Sequence, residues 1–299
     1  MRPRYETLPG TVRSWVDEQL GSAIVSAATQ GAGFSPGVAA RVITAAGQRA
    51  FVKAIASSIH AATATLHRQE ITALEGIPPT EFVPRLYATY DDGDWVALLM
   101  EDVDGRNPDP WTPKHAALVP AAVDELTATF TPTPWNDARA LEDAERVRTN
   151  WWQQVLDLPG GRLPELIAMH EVVAPSVRGE TLCLRDMTLD NILVTDAGRV
   201  FFVDWAWASR AAAWVDTMHL ACDVVGTGGA PSDADAVLAE GRHSRHTDPA
   251  VLNAYLANLA GSAYVKARRT EAPELAPLQA WRRSRADRLV RWLWQRAGW

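Results

Sequence analysis

The residues best suited to chemistry by type and spacing lie within residues 181–205, TLCLRDMTLDNILVTDAGRVFFVDW. Asp186 follows a first short apolar run, Asn191 precedes a second, and Asp204 ends a third. This order, D-x-x-x-x-N, then a turn and an apolar run that ends in Asp, is typical of phosphoryl transfer. One acid would orient the attacking hydroxyl group, while the amide and the second acid are oxygen ligands that suit Mg²⁺ on the phosphates of ATP.

Two features nearer the N-terminus fit the same chemistry. The stretch QGAGFSPG contains Gly31 and Gly33, which lack a Cβ and let backbone N–H groups approach phosphates closely, although an ordinary hairpin loop explains the same glycines. Lys53 is centred in the apolar run RAFVKAIA. Because burial of an unpaired ammonium group is costly, a buried Lys53 needs a partner; the alternative is an edge-strand lysine that faces solvent.

Length, composition and charge limit the class of protein. The chain has 299 residues, enough for one large domain or two lobes. A hydrophobic fraction of 47% and a charged fraction of 22% are ordinary for a globular protein. The net charge of -7 argues against a general nucleic-acid binder and fits a cationic or neutral small molecule.

Cysteine usage and apolar runs predict a cytoplasmic protein that does not bind a membrane. Cys183 and Cys222 form no C-x-x-C pair and lie among apolar residues, which indicates buried thiols in a reducing compartment. The N-terminus lacks the apolar core of a signal peptide. No apolar run approaches the roughly 20 residues that span a bilayer.

Strand and helix patterns predict the elements that position these residues. The first part is predicted as a helix at 8–20, strands at 22–29, 38–46 and 49–56, a helix at 58–74, and strands in VPRLYATYDD and DWVALLMEDV. The rest is predicted as helices at 115–129, 137–156, 162–173, 211–225, 232–239, 249–268 and 276–296. Pro120 is expected to shorten the first of these. The last, with apolar residues among several arginines, is predicted as an amphipathic surface helix.

A polar, proline-rich connector, DGRNPDPWTP, follows Val103 and marks a boundary. We therefore predict an α+β protein of two lobes. Residues 1–103 form a nucleotide-binding lobe with a five-stranded antiparallel sheet and one helix, and residues 104–299 form a mostly helical lobe with the catalytic loop and the substrate pocket.

These features in this order resemble the aminoglycoside phosphotransferase group of small-molecule kinases, relatives of the protein kinases. The resemblance covers nearly the whole chain and implies a two-lobed protein-kinase-like fold with nucleotide and Mg²⁺ between the lobes. It implies that Lys53 holds the α- and β-phosphates and that Glu70, on the helix after it, pairs with Lys53. Glu75, near the end of that helix, is the rival partner.

The resemblance also assigns the remaining site residues. Gly31 and Gly33 lie in the loop over the phosphates. Adenine is held at the hinge between the lobes by backbone groups of Glu101 and Val103, with Met100 against the base. The catalytic aspartate is Asp186, and Asn191 and Asp204 are the Mg²⁺ ligands, while Asp216 anchors the catalytic loop through its backbone.

Two departures from the family pattern occur in this stretch. Leu184 stands where the family usually has His, a residue that supports the loop by hydrogen bonding and is not itself the reactive group. Trp-Ala follows Asp204, where protein kinases have Phe-Gly. No long activation segment is evident, which favours a small substrate over a protein.

The expected activity is ATP- and Mg²⁺-dependent transfer of the γ-phosphoryl group to a hydroxyl of a small molecule, with GTP as the alternative nucleotide. The first expectation for the acceptor is an antibiotic of the aminoglycoside, peptide or nucleoside type. A metabolic kinase for an amino alcohol or a sugar is the alternative, and a non-catalytic pseudokinase is a third hypothesis. The protein is expected to be a monomer or a homodimer.

Overall fold

A computed structural model of the chain describes residues 2–31, 36–158, 160–269 and 276–299. Its helices are α1 Gly10–Leu20, α2 Ser57–Gly76, α3 Pro113–Thr129, α4 Glu145–Arg148, α5 Leu163–Met169, α6 Val173–Ser176, α7 Val215–Thr227, α8 Pro231–Glu240, α9 Pro249–Ala267 and α10 Ala276–Ala297. Its strands are β1 Ile24–Thr29, β2 Val38–Thr44, β3 Arg49–Ala56, β4 Leu86–Asp91, β5 Trp95–Met100, β6 Gly105–Arg106, β7 Thr181–Cys183, β8 Ile192–Thr195, β9 Val200–Phe202 and β10 Ser209–Ala211.

The residues group into two compact units. Unit 1 comprises Met1–Pro108, Pro134–Asp137 and Asp190–Ala208, and unit 2 comprises Asp109–Thr133, Ala138–Leu189 and Ser209–Trp299. Unit 1 thus includes the stretch around β8 and β9 in addition to the N-terminal residues. The functional division into lobes at residue 103 stays a prediction.

The main sheet of unit 1 is antiparallel, in the order β1-β2-β3-β5-β4, and confirms the predicted five strands. Ala50, Val52 and Ala54 of β3 are buried in a core that also contains residues of α1. Because side chains alternate along a strand, Lys53 points to the opposite face. Ile55 on that opposite face packs against Ala64 of α2, so Lys53 lies on the side of the sheet that α2 covers.

A smaller sheet of unit 1, in the order β6-β8-β9, determines where two predicted metal ligands lie. Ile192, the first residue of β8, pairs with Phe202, the last residue of β9. Asn191 precedes β8 and Asp204 follows β9 at the same end of this hairpin, where Val203 N–H donates to the Asn191 carbonyl at 2.9 Å. The hairpin therefore brings two residues thirteen positions apart to one edge.

Unit 2 is mostly helical, as predicted, and α10 packs against α7 and α9. Leu289, Trp292 and Leu293 of α10 are buried, whereas Arg291 is exposed, so the amphipathic pattern of this helix is confirmed. The apolar side of α10 is therefore part of the core of unit 2, and its opposite side faces solvent. Arg296 ties the same helix to α8 through Asp235 at 2.5 Å.

The predicted helix at 137–156 is wrong. The structure has only short turns there: a 3₁₀ helix at Leu141–Asp143, α4, and a 3₁₀ helix at Trp151–Gln154. Trp151 and Trp152 are both buried, and the Trp152 indole donates to the Ala257 carbonyl of α9 at 2.9 Å. Packing of two adjacent indoles into the interior overrides helix propensity, which is a weak preference.

The expected effect of Pro120 is also wrong. Pro120 lies inside α3, which still runs to Thr129. The helix begins well before the proline, at Pro113, and the Thr112 side chain accepts a hydrogen bond from His115 N–H at its N-terminus.

Candidate active site

The Lys53–Glu70 ion pair is the centre of the site in unit 1. Lys53 Nζ donates to both carboxylate oxygens of Glu70 at 2.8 Å, and both side chains are largely buried. Glu75, the rival partner, forms no ion pair with Lys53 among the described residues. Burial on its own lowers the pKa of Lys53, but the carboxylates of Asp204 and Glu70 outweigh it, so the pKa lies above its ordinary value. Lys53 therefore stays a cation.

Asp204 lies beside this pair. Its Oδ2 is 3.7 Å from Lys53 Nζ, and its side chain is partly exposed. The backbone at Asp204 has a φ of 67°, in the left-handed region that residues other than glycine seldom adopt. Trp205, the next residue, donates its backbone N–H to the Glu70 carboxylate. Strained backbone of this kind is concentrated at functional sites.

Asn191 is held by its neighbours on both sides. The Asn107 side chain donates to the Asp190 carbonyl at 2.8 Å and to the Ile192 carbonyl at 2.9 Å. Asn107 therefore positions the turn that carries Asn191. Sequence reasoning missed Asn107, because an asparagine in a polar connector has no local pattern that distinguishes it.

The predicted hinge follows β5. Glu101 N–H donates to the Arg85 carbonyl, and the Val103 carbonyl accepts from Gly105 N–H. Within the described ranges, neither the Glu101 carbonyl nor the Val103 N–H has a hydrogen-bond partner. These two groups are the acceptor and the donor that a base edge would need.

A cavity of about 180 Å³ in unit 1 brings most of the predicted nucleotide and metal residues together. Its lining includes Lys53, Glu70, Met100, Glu101, Val103, Asn191 and Asp204. Gly31 lies just beyond β1 and is exposed, with its neighbour Gln30 in the lining. Gly33 lies outside the described residues, so its predicted role stays a prediction, as does that of Gly31.

Asp186 lies in unit 2, on a loop whose backbone is held by a buried carboxylate. Asp216 of α7 accepts from Leu184 N–H at 2.7 Å and from Arg185 N–H at 2.8 Å, which confirms the predicted anchoring. Burial raises the pKa of Asp216 to about 6, although the two backbone donors oppose the rise. Arg185, with a φ of 66°, is the second non-glycine residue with positive φ in the described chain.

The same loop is held a second time at its far end. Asp223, two helical turns further along α7, accepts from Leu189 N–H at 2.7 Å. Asp223 also accepts a short hydrogen bond from Arg285 of α10. Two carboxylates of one helix thus fix the backbone on both sides of Asp186. Leu184, in the same loop, is fully buried, and its side chain cannot hydrogen-bond.

A second cavity, of about 130 Å³, contains Asp186 in its lining. The other lining residues include Arg146, His219, Lys266 and Arg285. Burial holds the pKa of His219 well below its usual range, and its Nε2 lies 2.9 Å from the Tyr255 hydroxyl, so this histidine is neutral. Sequence reasoning missed Arg146 and Lys266 as residues that line this cavity.

Two further findings limit what the chain does. The described residues contain no cluster of three or more His, Cys, Asp or Glu side chains arranged to hold a metal ion. Likewise, none of the described helices is both long and apolar enough to cross a membrane.

Comparison with solved structures shows the same fold. An aminoglycoside phosphotransferase from Alicyclobacillus acidocaldarius is 15% identical, with 92% of each chain covered and a TM-score of 0.57. The choline kinase LicA from Streptococcus pneumoniae is 12% identical, with 97% of this chain and 98% of that chain covered and a TM-score of 0.63. The amicoumacin kinase hAmiN, in complex with AMP-PNP, Ca²⁺ and Ami, is 13% identical, with 87% and 88% covered and a TM-score of 0.53.

The sequence itself also places the chain in a family. No curated protein matches it. The family model described as APH, phosphotransferase enzyme family, matches residues 31–255. Since that match covers well over half of the 299 residues, the chain belongs to this phosphotransferase family and is a small-molecule kinase with a protein-kinase-like fold.

Proposed function

We propose that this kinase transfers the γ-phosphoryl group of ATP, with Mg²⁺, to a hydroxyl group of a small molecule. The observation that carries the proposal is the Lys53–Glu70 pair with Asp204 at 3.7 Å from the ammonium group. A fixed cation beside a partly exposed carboxylate, at the wall of a cavity, suits a triphosphate and its metal ion.

The donor set fits Mg²⁺. Asn191 and Asp204 supply an amide and a carboxylate oxygen at one end of the β8–β9 hairpin. Mg²⁺ is usually held by one or two protein carboxylates together with substrate phosphates and water, so a dedicated cluster of three acids is not needed. When bound, the ion would neutralise charge on the phosphates.

Each other residue has a role that its surroundings support. Lys53 would bind phosphate oxygens, and Glu70 would keep its ammonium group in place. The Glu101 carbonyl and the Val103 N–H, which have no partner among the described residues, would bind the edge of adenine. Met100 would contact the face of the base.

Asp186 would act on the acceptor. Its carboxylate would take the proton of the attacking hydroxyl while the new O–P bond forms and the bond to the leaving ADP oxygen breaks. The positive φ of Arg185 and the two backbone hydrogen bonds to Asp216 would fix the direction of the Asp186 side chain. Catalysis would then rest on positioning and on charge neutralisation.

The proposal is tested by a screen of hydroxyl compounds with Mg-ATP, in which the release of ADP is measured. We expect acceptor-dependent ADP release that Asp186→Ala reduces by about 10²- to 10⁴-fold, the scale of general acid–base catalysis. Unchanged turnover in Asp186→Ala would show that the role of Asp186 is wrong. Mg-ATP binding without turnover on any acceptor would instead support the pseudokinase hypothesis, and the same screen with GTP decides the nucleotide.

The acceptor is either an antibiotic or a metabolite, and we retain the antibiotic as the first proposal. Growth inhibition of cells that express the protein, measured against an antibiotic panel, separates the two. Resistance lost on Asp186→Ala supports the antibiotic, whereas no protection together with turnover of an amino alcohol or a sugar supports a metabolic kinase. A cytoplasmic location and a monomer or homodimer remain proposals that fractionation and light scattering test.

A further inference from the structure

We propose that the acceptor carries an anionic group, a carboxylate or a phosphate, which binds Arg146 and Lys266 while its hydroxyl group faces Asp186. This inference rests on the proposed function, because it assigns the second cavity to the acceptor. It names a substrate class that neither the sequence nor the comparisons assign.

The cavity that contains Asp186 is rich in cations. Arg146, Lys266 and Arg285 line it, and Asp186 is its only carboxylate among the described lining residues. Arg285 is already balanced by Asp223 of α7. Arg146 and Lys266 have no ion pair with a carboxylate anywhere in the described parts of the chain. With Asp186 offsetting one of them, the cavity keeps an excess of positive charge.

Trp151 contacts both the backbone that carries Arg146 and the side chain of Lys266. Trp151, a buried residue, donates its indole N–H to the Arg146 carbonyl at 3.0 Å. The Lys266 ammonium lies 5.1 Å from the centre of the Trp151 ring, within the range of a cation–π contact. One indole thus fixes the backbone of α4 and the end of the Lys266 side chain together.

The electrostatic surroundings of Lys266 also favour an incoming anion. Burial, together with the smaller effects of Arg146, Arg269 and Arg282, lowers the pKa of Lys266 to about 8, and only Glu145 opposes them. Such a cation gains from a charged hydrogen-bond partner. A polycationic acceptor would meet like charge here, which costs affinity, so among the antibiotics of the proposed function this cavity disfavours the aminoglycoside type.

The cavity is of a size for a small acceptor. By the volume that one water needs, about 130 Å³ holds on the order of ten waters. Ser262 and Thr188 add polar groups, whereas Leu259 and Leu289 are apolar walls. A hydroxy acid or a phosphorylated polyol, or one end of a larger molecule, suits this lining.

Amine labelling of the full-length protein tests the anion site directly. The chain has three lysines, Lys53, Lys114 and Lys266, so mass spectrometry resolves each one after a pulse of acetic anhydride. At fixed ionic strength, we expect gluconate or glucose 6-phosphate to slow labelling of Lys266 about threefold or more, on the scale of a modest charged contact. Glucitol and choline should not slow it, and exposed Lys114 should be unaffected by all four.

Arg146→Gln should remove that protection, and Lys114→Gln should leave it intact. Equal protection by glucitol or choline, or protection that follows ionic strength alone, would overturn the anion site. Gluconate carries a carboxylate and glucose 6-phosphate carries a phosphate, so separate measurements with the two compounds also show which anion is preferred.

Turnover of matched acceptors provides the second test. With Mg-ATP we compare gluconate with glucitol, glycerate with glycerol, and glucose 6-phosphate with glucose, and include kanamycin and choline as cations. We expect an anionic member to exceed its neutral partner in kcat/KM by about tenfold or more, and Arg146→Gln or Lys266→Gln to raise its KM by a similar factor. The KM for ATP should change less than about twofold, because these residues are not assigned to the nucleotide.

The outcomes separate this inference from the proposed function. Asp186-dependent turnover of neutral or cationic acceptors only, or a raised KM for ATP in the two variants, would refute the anionic acceptor and leave the kinase intact. Anion protection of Lys266 without ADP release on any acceptor would keep the anion site and refute the kinase.

Discussion

At the scale of single residues, a substitution of Lys53 gives the most direct test of the nucleotide site. Lys53→Met removes the cation that two carboxylates hold at 2.8 and 3.7 Å. We expect kcat/KM for Mg-ATP to fall by about 10²- to 10³-fold, the scale of one lost electrostatic contact to the transferring group. Steady-state kinetics measure this, with circular dichroism to confirm folding and Lys114→Gln as the control. Near-normal turnover in folded Lys53→Met would contradict the assignment.

Asp216 allows a pH prediction with a definite sign. Burial raises the pKa of Asp216 to about 6, from 3.8, so the folded protein holds this proton more tightly than the unfolded chain does. The native state therefore binds more protons between those values, and the contribution of Asp216 to stability falls as pH rises through about 6. Asp216→Asn has no such proton.

We expect the unfolding free energy of the wild type, relative to Asp216→Asn, to fall by about 1 kcal/mol between pH 5 and pH 7. Urea unfolding at the two pH values measures the difference. The charged or titratable neighbours that both proteins share include Cys183, Arg185, Asp186 and Tyr255. If the difference in unfolding free energy between the two proteins stayed constant or grew with pH, the pKa of Asp216 would not be raised in the folded protein.

At the scale of elements, the main sheet and the β8–β9 hairpin were predictable because their signals are local. Alternation in β3 and the turn between two apolar runs are visible within ten residues, and they position Lys53, Asn191 and Asp204. The predicted helix at 137–156 does not form because Trp152 instead packs into the interior and donates a hydrogen bond to the Ala257 carbonyl. No local pattern announces a partner more than a hundred residues away.

The same reason explains which site residues were missed. Asn107 acts through carbonyls of the β8 turn, and Arg146 shares a cavity with Lys266 of α9. Each of these residues acquires its role only from a neighbour that is distant in sequence. The role of Asp216 was predictable because the family resemblance indicated its distant partner, the backbone of the catalytic loop, which a periodic sequence pattern does not reveal.

Helix α10 makes a prediction at this scale. Trp292 is fully buried, and its indole N–H donates to Asp235 of α8 at 3.2 Å. Trp292→Ala should cost about 3–5 kcal/mol of unfolding free energy, because it leaves a large cavity. Trp281→Ala, on the same helix but 42% exposed, should cost less than about 1 kcal/mol. Urea midpoints compare the two, and equal losses would mean that α10 does not pack as described.

At the scale of the whole molecule, the net charge of the chain and the charge within the second cavity predict acceptors of opposite charge. A net charge of -7 suggests a cationic or neutral partner, but the cavity beside Asp186 is lined by three cations. Charge acts over roughly 8–10 Å at physiological salt, so the groups within a cavity decide what it binds. The charge of the chain therefore reports on solubility more than on the acceptor.

The two units give the last prediction, because they hold separate cavities. A ligand stabilises the part of the native protein that binds it, by about 2.7 kcal/mol at a hundred times its Kd. We expect Mg²⁺ with AMP-PNP to slow amide hydrogen exchange in β3, β5 and the β8–β9 hairpin by up to about a hundredfold. Gluconate or glucose 6-phosphate should slow exchange in α4 and in the last turns of α9.

Each half of this pattern has its own control. Lys53→Met should lose the nucleotide-dependent protection and keep the anion-dependent protection, whereas Arg146→Gln should do the reverse. Because the two variants lie in different units, a loss of both effects in either one would point to a general loss of folding. Protection of α9 by the nucleotide alone, with none in β3 or β5, would contradict the assignment of the first cavity to ATP, since it would locate the triphosphate among Arg146, Lys266 and Arg285 instead.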